Sequence, residues 1–192
     1  MSSMNIGVLA MQGAFQEHCK ALEKLGVQAI EIRHPEQLDT VSGLIIPGGE
    51  STTIGKLMNE WGIIDKIKAR AAAGMAIYGT CAGMILLAKK IIDSDQPRLG
   101  LMDVTVKRNG FGRQRESFEV ELNVPDISQE PIKAVFIRAP YIESVGPNVE
   151  IMAQIDDKIL IAREGKFFVT AFHPELTNDL RIHKYFLSIV AE

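Results

Sequence analysis

Cys81 sits in the pentapeptide Gly79-Thr80-Cys81-Ala82-Gly83, between the apolar run Met75–Tyr78 and a run of helical character. A cysteine held among small residues at a sharp turn from strand to helix is thrust out above a sheet. It faces the N-terminus of the helix that follows, which favours thiolate over thiol, and the N–H of Ala82 is free beside it to stabilise an oxyanion. These are the requirements of a thiol nucleophile. A small buried cysteine in a tight strand–helix join satisfies the same five letters, so the pentapeptide needs support from elsewhere in the chain.

A cysteine nucleophile needs a base, and the base needs an orienting group. Of the four histidines, His18 lies in a helical stretch and reads as a surface or rim residue. His34 precedes Pro35 in a loop, and His183 stands among Arg181 and Lys184 and reads as solvated. His173 differs: it follows the strand-like KFFVTAF and opens His173-Pro174-Glu175. In an extended backbone residues i and i+2 project together, so Glu175 can accept the far ring N–H of His173 and fix its tautomer. The alternative is a strand-end turn with two exposed polar groups. With the elbow cysteine, the pattern points to a Cys81–His173–Glu175 triad. The turn Pro47-Gly48-Gly49-Glu50-Ser51 offers backbone N–H groups that could bind a carboxylate or complete an oxyanion hole with Ala82. It is no phosphate loop, because no Gly-Lys-Ser/Thr follows, and no spacing of metal ligands is evident.

The elements that must position these residues are legible in outline. Asn5–Gly13, Val27–Arg33, Gly43–Ser51 and Met75–Gly79 read as strands. Phe15–Leu25, Ser51–Gly62 (with Ser51 or Thr52 as N-cap), Ile63–Ala73 and Ala82–Lys90 read as helices. Such alternation predicts a parallel sheet covered on both faces, with ligands bound at the carboxyl ends of its strands, where Gly13, Gly48, Gly49 and Gly79 fall. From Leu101 onward strand-like segments are joined by turns, Asp156-Asp157 and Glu164-Gly165 among them, before a closing helix over Leu180–Val190. The expected architecture is a single α/β domain over residues 1–192: a doubly wound, mostly parallel sheet with helices on both faces and an antiparallel elaboration in the second half.

Composition narrows the partners. A chain of 192 residues with 46% hydrophobic and 23% charged residues is ordinary for one globular domain. The net charge of -3 gives no footprint for nucleic acid or an anionic membrane. Met1–Met11 lacks the marks of a signal peptide, and the apolar runs are far shorter than the ~20 residues of a membrane span. Two cysteines, Cys19 and Cys81, make no disulfide framework, and Cys19 falls on a helix face with Phe15, Leu22 and Leu25 as core. A reduced, cytoplasmic protein is expected.

The elbow, the PGGES turn and the late HPE together resemble the class I (triad) glutamine amidotransferases. The segments GVLAMQGAFQEH, LIIPGGESTT, GTCAGMILLAKK, LGLMDVTVKRNGFGRQRESFE, VFIRAPYI and FHPELTND extend the resemblance along nearly the whole chain. They are similar, in the right order, to the glutaminase-subunit family of pyridoxal 5′-phosphate synthases. The resemblance implies hydrolysis of L-glutamine to L-glutamate and ammonia, without a cofactor. The ammonia would pass to a separate lyase subunit that docks on the glutaminase, activates it, and builds pyridoxal 5′-phosphate from a pentose phosphate and a triose phosphate. It implies Cys81, His173 and Glu175 as the triad, and Gly49, Glu50, Ser51, Arg108, Ile137 and Arg138 as contacts to glutamine. Gln12 and Gly13 would lie near the oxyanion hole and the partner interface. The Gly48–Gly49 turn would need rearranging to aim its N–H at the oxyanion. An elbow cysteine also occurs in a related superfamily of proteases, chaperones and deglycases, which generally lacks the HPE. The RNGFGRQ and IRAP segments argue against the glutaminases feeding histidine or guanylate synthesis. A regulatory protein that keeps the fold without turnover is the remaining alternative.

Overall fold

The protein is described here from a computed structural model covering residues 3–112 and 116–192. Arg113 and Gln114 of the RNGFGRQ segment lie outside the described residues. The first half alternates as expected: β1 (Asn5–Leu9), α1 (Phe15–Lys24), β2 (Gln28–Ile32), a 3-10 turn over Pro35–Thr40, β3 (Gly43–Ile46), α2 (Ser51–Glu60), α3 (Ile63–Ala72), β4 (Ala76–Thr80) and α4 (Ala82–Leu87). There follow β5 (Ala88–Ile91), β6 (Met102–Lys107), β7 (Ser117–Leu122), β8 (Ile132–Ile137), β9 (Tyr141–Val145), β10 (Glu150–Ile155), β11 (Lys158–Glu164) and β12 (Phe167–Thr170). A 3-10 turn over Pro174–Leu176 and α5 (Arg181–Ala191) close the chain.

Among the described residues the main sheet runs β2-β1-β3-β4-β12-β11-β9-β6-β5, with β10 on β11, and β7 and β8 form a separate hairpin. The pairs β2–β1, β1–β3, β3–β4 and β4–β12 are parallel, and β12–β11, β11–β9 and β9–β6 are antiparallel. Every residue of β3 and β4 is buried, as a strand covered on both faces requires. The two faces can be told apart at β4. Tyr78 packs on Phe186 of α5, and the next residue, Gly79, meets the backbone of Gly83 in α4. Successive strand residues point to opposite faces, so α5 and α4 cover opposite sides. This is the doubly wound arrangement with an antiparallel elaboration that the sequence leads one to expect.

Some boundaries differ. The expected helix Ala82–Lys90 stops at Leu87, and Ala88–Ile91 is strand β5. The Leu86 carbonyl is taken by the Leu99 amide at 2.7 Å, and Ala88, Lys90 and Ile91 pair with β6, so tertiary partners outbid the next helical turn. The first strand ends at Leu9, not Gly13. Neither Ser51 nor Thr52 caps α2. Glu50 does, its carboxylate accepting the amides of Thr52 and Thr53 at 3.1 and 2.7 Å. Asp156-Asp157 joins β10 to β11 as expected, whereas the next connection is Gly165-Lys166, one residue later than expected. Among the described residues no helix is long and apolar enough to cross a membrane.

Candidate active site

The parallel register brings Cys81 and His173 to one edge of the sheet. Thr80 at the end of β4 lies beside Thr170 at the end of β12, and the Cys81 amide donates to the Thr170 carbonyl at 2.9 Å. Cys81 is the next residue after one strand and His173 the third after the other, so both emerge at the same carboxyl edge. β3 ends alongside Gly79 and delivers Pro47-Gly48-Gly49 to that edge, and β1 delivers Gln12 and Gly13.

Cys81 holds φ 51° and ψ -103°, an uncommon backbone for a residue with a side chain, and this strained elbow lifts its thiol to the site. The flanking glycines are there for space. A Cβ on Gly83 would sit 2.1 Å from the Ile46 carbonyl oxygen, and one on Gly79 would sit 2.5 Å from the Gly83 backbone. The other cysteine offers no competing nucleophile: burial first, then Glu31 and Glu23, push the Cys19 thiol up to about 11.

His173 Nδ1 lies 2.6 Å from Glu175 Oε1. Both residues are buried, which rules out the alternative of a strand-end turn with two exposed polar groups. The carboxylate reaches the ring through a 3-10 turn beginning at Pro174, not through an extended i, i+2 pair. Burial alone would lower the His173 pKa. Hydrogen bonds to Cys81 and Glu175, with the charges of both, outweigh it and raise the value to about 10.

A cleft of about 650 Å³ opens above Cys81. Gln12, Gly13, Gly48, Gly49, Glu50 and Ser51 are among its lining residues. Ala82, Arg108, Ile137, Arg138 and His173 complete the set, so the expected site residues converge there, with Glu175 behind the His173 ring. Gly48 abuts that ring, where a Cβ would fall 2.4 Å from His173 Cε1. The Gly48 carbonyl accepts the Ala14 amide at 3.1 Å, and Gln12 Oε1 accepts the Glu50 amide at 2.8 Å, so the loop after β1 fixes the conformation of the glycine turn. Arg108 is half-buried. Its Nη1 donates to Gln96 Oε1 at 2.9 Å, and the Ser51 hydroxyl donates to the same oxygen at 3.3 Å. Arg138 is exposed, with φ 44°.

Three residues at the site escape the sequence reading. Gln96 carries no signal, since it lies in an irregular connection. His18 and His183 are both fully buried, not solvated, and their rings meet at 2.8 Å. The signal for them was present: His18 falls between Phe15 and Leu22 on the inward stripe of α1, and His183 between Ile182 and Phe186 on that of α5. Among the described residues no three His, Cys, Asp or Glu side chains are grouped as a metal ion would require.

Comparison with known proteins points to one family. Residues 8–192 match the family described as SNO glutamine amidotransferase family. The chain is 57% identical over 189 residues to the pyridoxal 5′-phosphate synthase subunit PdxT of Carboxydothermus hydrogenoformans, covering 98% of this chain and 99% of that one. It is 60% identical over 187 residues to the protein of the same name from Moorella thermoacetica, covering 97% and 100%. A solved structure titled as a glutamine amidotransferase superposes with a TM-score of 0.93 at 49% identity, over 97% of this chain and 99% of that one. PurLQS from Thermotoga maritima, at 17% identity and a TM-score of 0.73, shares the fold. With an elbow cysteine, a buried histidine–carboxylate pair and full-length similarity in agreement, the chain belongs to the SNO glutamine amidotransferase family.

Proposed function

We propose that the chain, as one amidotransferase domain, hydrolyses L-glutamine to L-glutamate and ammonia through a thioester on Cys81, and supplies the ammonia to a lyase partner subunit for pyridoxal 5′-phosphate synthesis. The observation that carries the chemistry is the emergence of Cys81 and His173 from adjacent parallel strands, with Glu175 on the far ring nitrogen of His173. The family membership and the PdxT relatives support the role in pyridoxal 5′-phosphate synthesis.

In this reading Arg108, held by Gln96, receives the substrate carboxylate as a charge-assisted pair. Gly49, Glu50, Ser51, Ile137 and Arg138 shape the rest of the glutamine pocket. The Cys81 sulfur attacks the side-chain amide carbon, and its oxygen takes the negative charge beside the Ala82 N–H. Collapse of this intermediate breaks the C–N bond. The nitrogen leaves as ammonia with the proton that His173 carries, and Glu175 holds the ring in place throughout. Water then attacks the thioester, His173 receives a proton from it, and glutamate departs. The second oxyanion donor comes from the Gly48–Gly49 turn. Its carbonyl is tethered to Ala14 in the free chain, and docking of the partner at Gln12 and Gly13 releases the peptide to turn its N–H toward the oxyanion.

The test is glutamate and ammonia release from glutamine by the purified chain, alone and with its cognate synthase subunit, for wild type and Cys81→Ala. Release that rises with the synthase and vanishes with Cys81→Ala is expected. No release under any condition would remove the mechanism and leave a regulatory protein as the better reading.

A further inference from the structure

The triad does not end at Glu175. Its second carboxylate oxygen, Oε2, is buried and has no hydrogen-bond partner among the described residues. The nearest ionisable group on that side is His18 Nε2, 3.6 Å away. The same nitrogen lies 3.4 Å from the hydroxyl of Thr80, the residue before the nucleophile. On the other side of the ring, His18 Nδ1 lies 2.8 Å from His183 Nε2. Tyr78 packs edge-on against both rings, and its hydroxyl is engaged by Thr170 at 2.8 Å. His18 comes from α1 and His183 from α5, so two helices converge behind the catalytic carboxylate.

We propose that His18 is a positioning residue of the amidotransfer site, presenting its Nε2–H to Glu175 Oε2 so that Oε1 stays on His173, with His183 fixing the tautomer of His18. The inference rests on the glutaminase reading of Cys81, His173 and Glu175.

Proton bookkeeping supports one arrangement. Burial, followed by the charges of His183 and His173, holds His18 well below the usual histidine range, and burial lowers His183 to about 4. Both rings are therefore neutral near pH 7, each with one N–H. If His18 carried its proton on Nδ1, the lone pair of Nε2 would face an anionic oxygen. With the proton on Nε2, the N–H dipole faces the carboxylate, and His183 Nε2–H donates to His18 Nδ1. His183 Nδ1 is then an unprotonated acceptor, in keeping with its having no partner among the described residues. That is the cheaper group to leave unpaired, since a buried donor without an acceptor is rarer. A carboxylate without such a support can rotate about its terminal torsion, a broad one, and lose its alignment with His173.

The experiment compares His18→Gln, His18→Asn and His18→Leu in complex with the synthase subunit. The amide nitrogen of glutamine replaces Nε2, toward Glu175, and that of asparagine replaces Nδ1, toward His183. Glutamine hydrolysis is expected within about threefold of wild type for His18→Gln. For His18→Asn and His18→Leu, kcat falls roughly ten- to hundredfold, as for loss of other outer-shell partners, with KM unchanged. Alkylation of Cys81 by iodoacetamide, followed on its own peptide by mass spectrometry as a function of pH, is expected to shift in the Asn and Leu variants and not in Gln. Should His18→Leu fail to fold, the Gln–Asn pair decides. Equal kcat in Gln and Asn, a loss confined to KM, or an unmoved alkylation profile in Asn would overturn the proposal. If wild type lacked turnover but the Asn profile still shifted, the glutaminase reading would fail and the positioning role would stand.

Discussion

Glu175 Oε1 lies 2.6 Å from His173 Nδ1 although only Pro174 separates the two in the chain. The proline fixes its own φ and starts a 3-10 turn, which folds the carboxylate back beneath the ring; the Glu175 side chain is fully buried there. A strand end, a proline and a one-turn reversal thus build the histidine–carboxylate pair from three consecutive residues.

Glu175→Gln keeps the shape and removes the charge. The His173 pKa, now about 10, is expected to fall in histidine NMR titrations, because the carboxylate's hydrogen bond and charge both raise it. Glutaminase kcat should drop at least about a hundredfold, as loss of an orienting carboxylate does elsewhere. An unchanged His173 titration would show that the pair is not electrostatically joined.

Gly48→Ala tests the packing of the turn on the His173 ring. The new Cβ would fall 2.4 Å from His173 Cε1, so either the ring or the turn must move. Overpacking of this kind costs about 1–3 kcal/mol. A folded variant with a modestly lower Tm and glutaminase activity reduced at least about tenfold is expected; wild-type kcat would argue that the ring has room.

Arg108→Ala should raise KM for glutamine with a smaller effect on kcat, since a lost charge-assisted pair is worth about 1.5–3 kcal/mol, or roughly ten- to a hundredfold. Gln96→Leu removes the oxygen that receives both Arg108 and Ser51 and should raise KM in the same direction by less. Steady-state kinetics with the synthase subunit present measures both.

Stability should peak near neutral pH. His183 is lowered from 6.5 to about 4 in the fold, so the unfolded chain binds more protons between those values, and stability is lost as pH falls through that window. Integrated over the window this one group is worth about 3 kcal/mol. His18 acts in the same direction. His173 is raised to about 10, so its contribution is complete below 6.5 and is lost as pH rises toward 10. Urea unfolding across pH should show both limbs, and His183→Leu should have a shallower acid limb.

Much of this site could be read before any coordinates. The glycines around Cys81 and the HPE at a strand end are local patterns with local causes, and the alternation of strands and helices locates the edge where they meet. What escaped was long-range. The helix after Cys81 reads on to Lys90, but it is cut short by the Leu99 amide and by pairing with β6, contacts that its own residues do not announce. One local detail also differs: the cap of α2 reads as Ser51 or Thr52, and Glu50 supplies it. His18 reads as a surface or rim residue and His183 as solvated when polar type is weighed above position. Each occupies an inward position on an amphipathic helix, and their partners lie across the core, 165 residues apart in the case of each other. Buried polar pairs of this kind are invisible to a reading in which each helix is taken alone.

The central claim is that Cys81 carries the glutamyl group. The most direct measurement is mass spectrometry of the synthase complex, acid-quenched during turnover of glutamine, with the Cys81 peptide isolated. A glutamyl thioester on Cys81, absent from Cys81→Ala and accumulating in a variant slowed at hydrolysis, is the expected result. Continued glutamate release with Cys81 unmodified, or release by Cys81→Ala, would contradict the account.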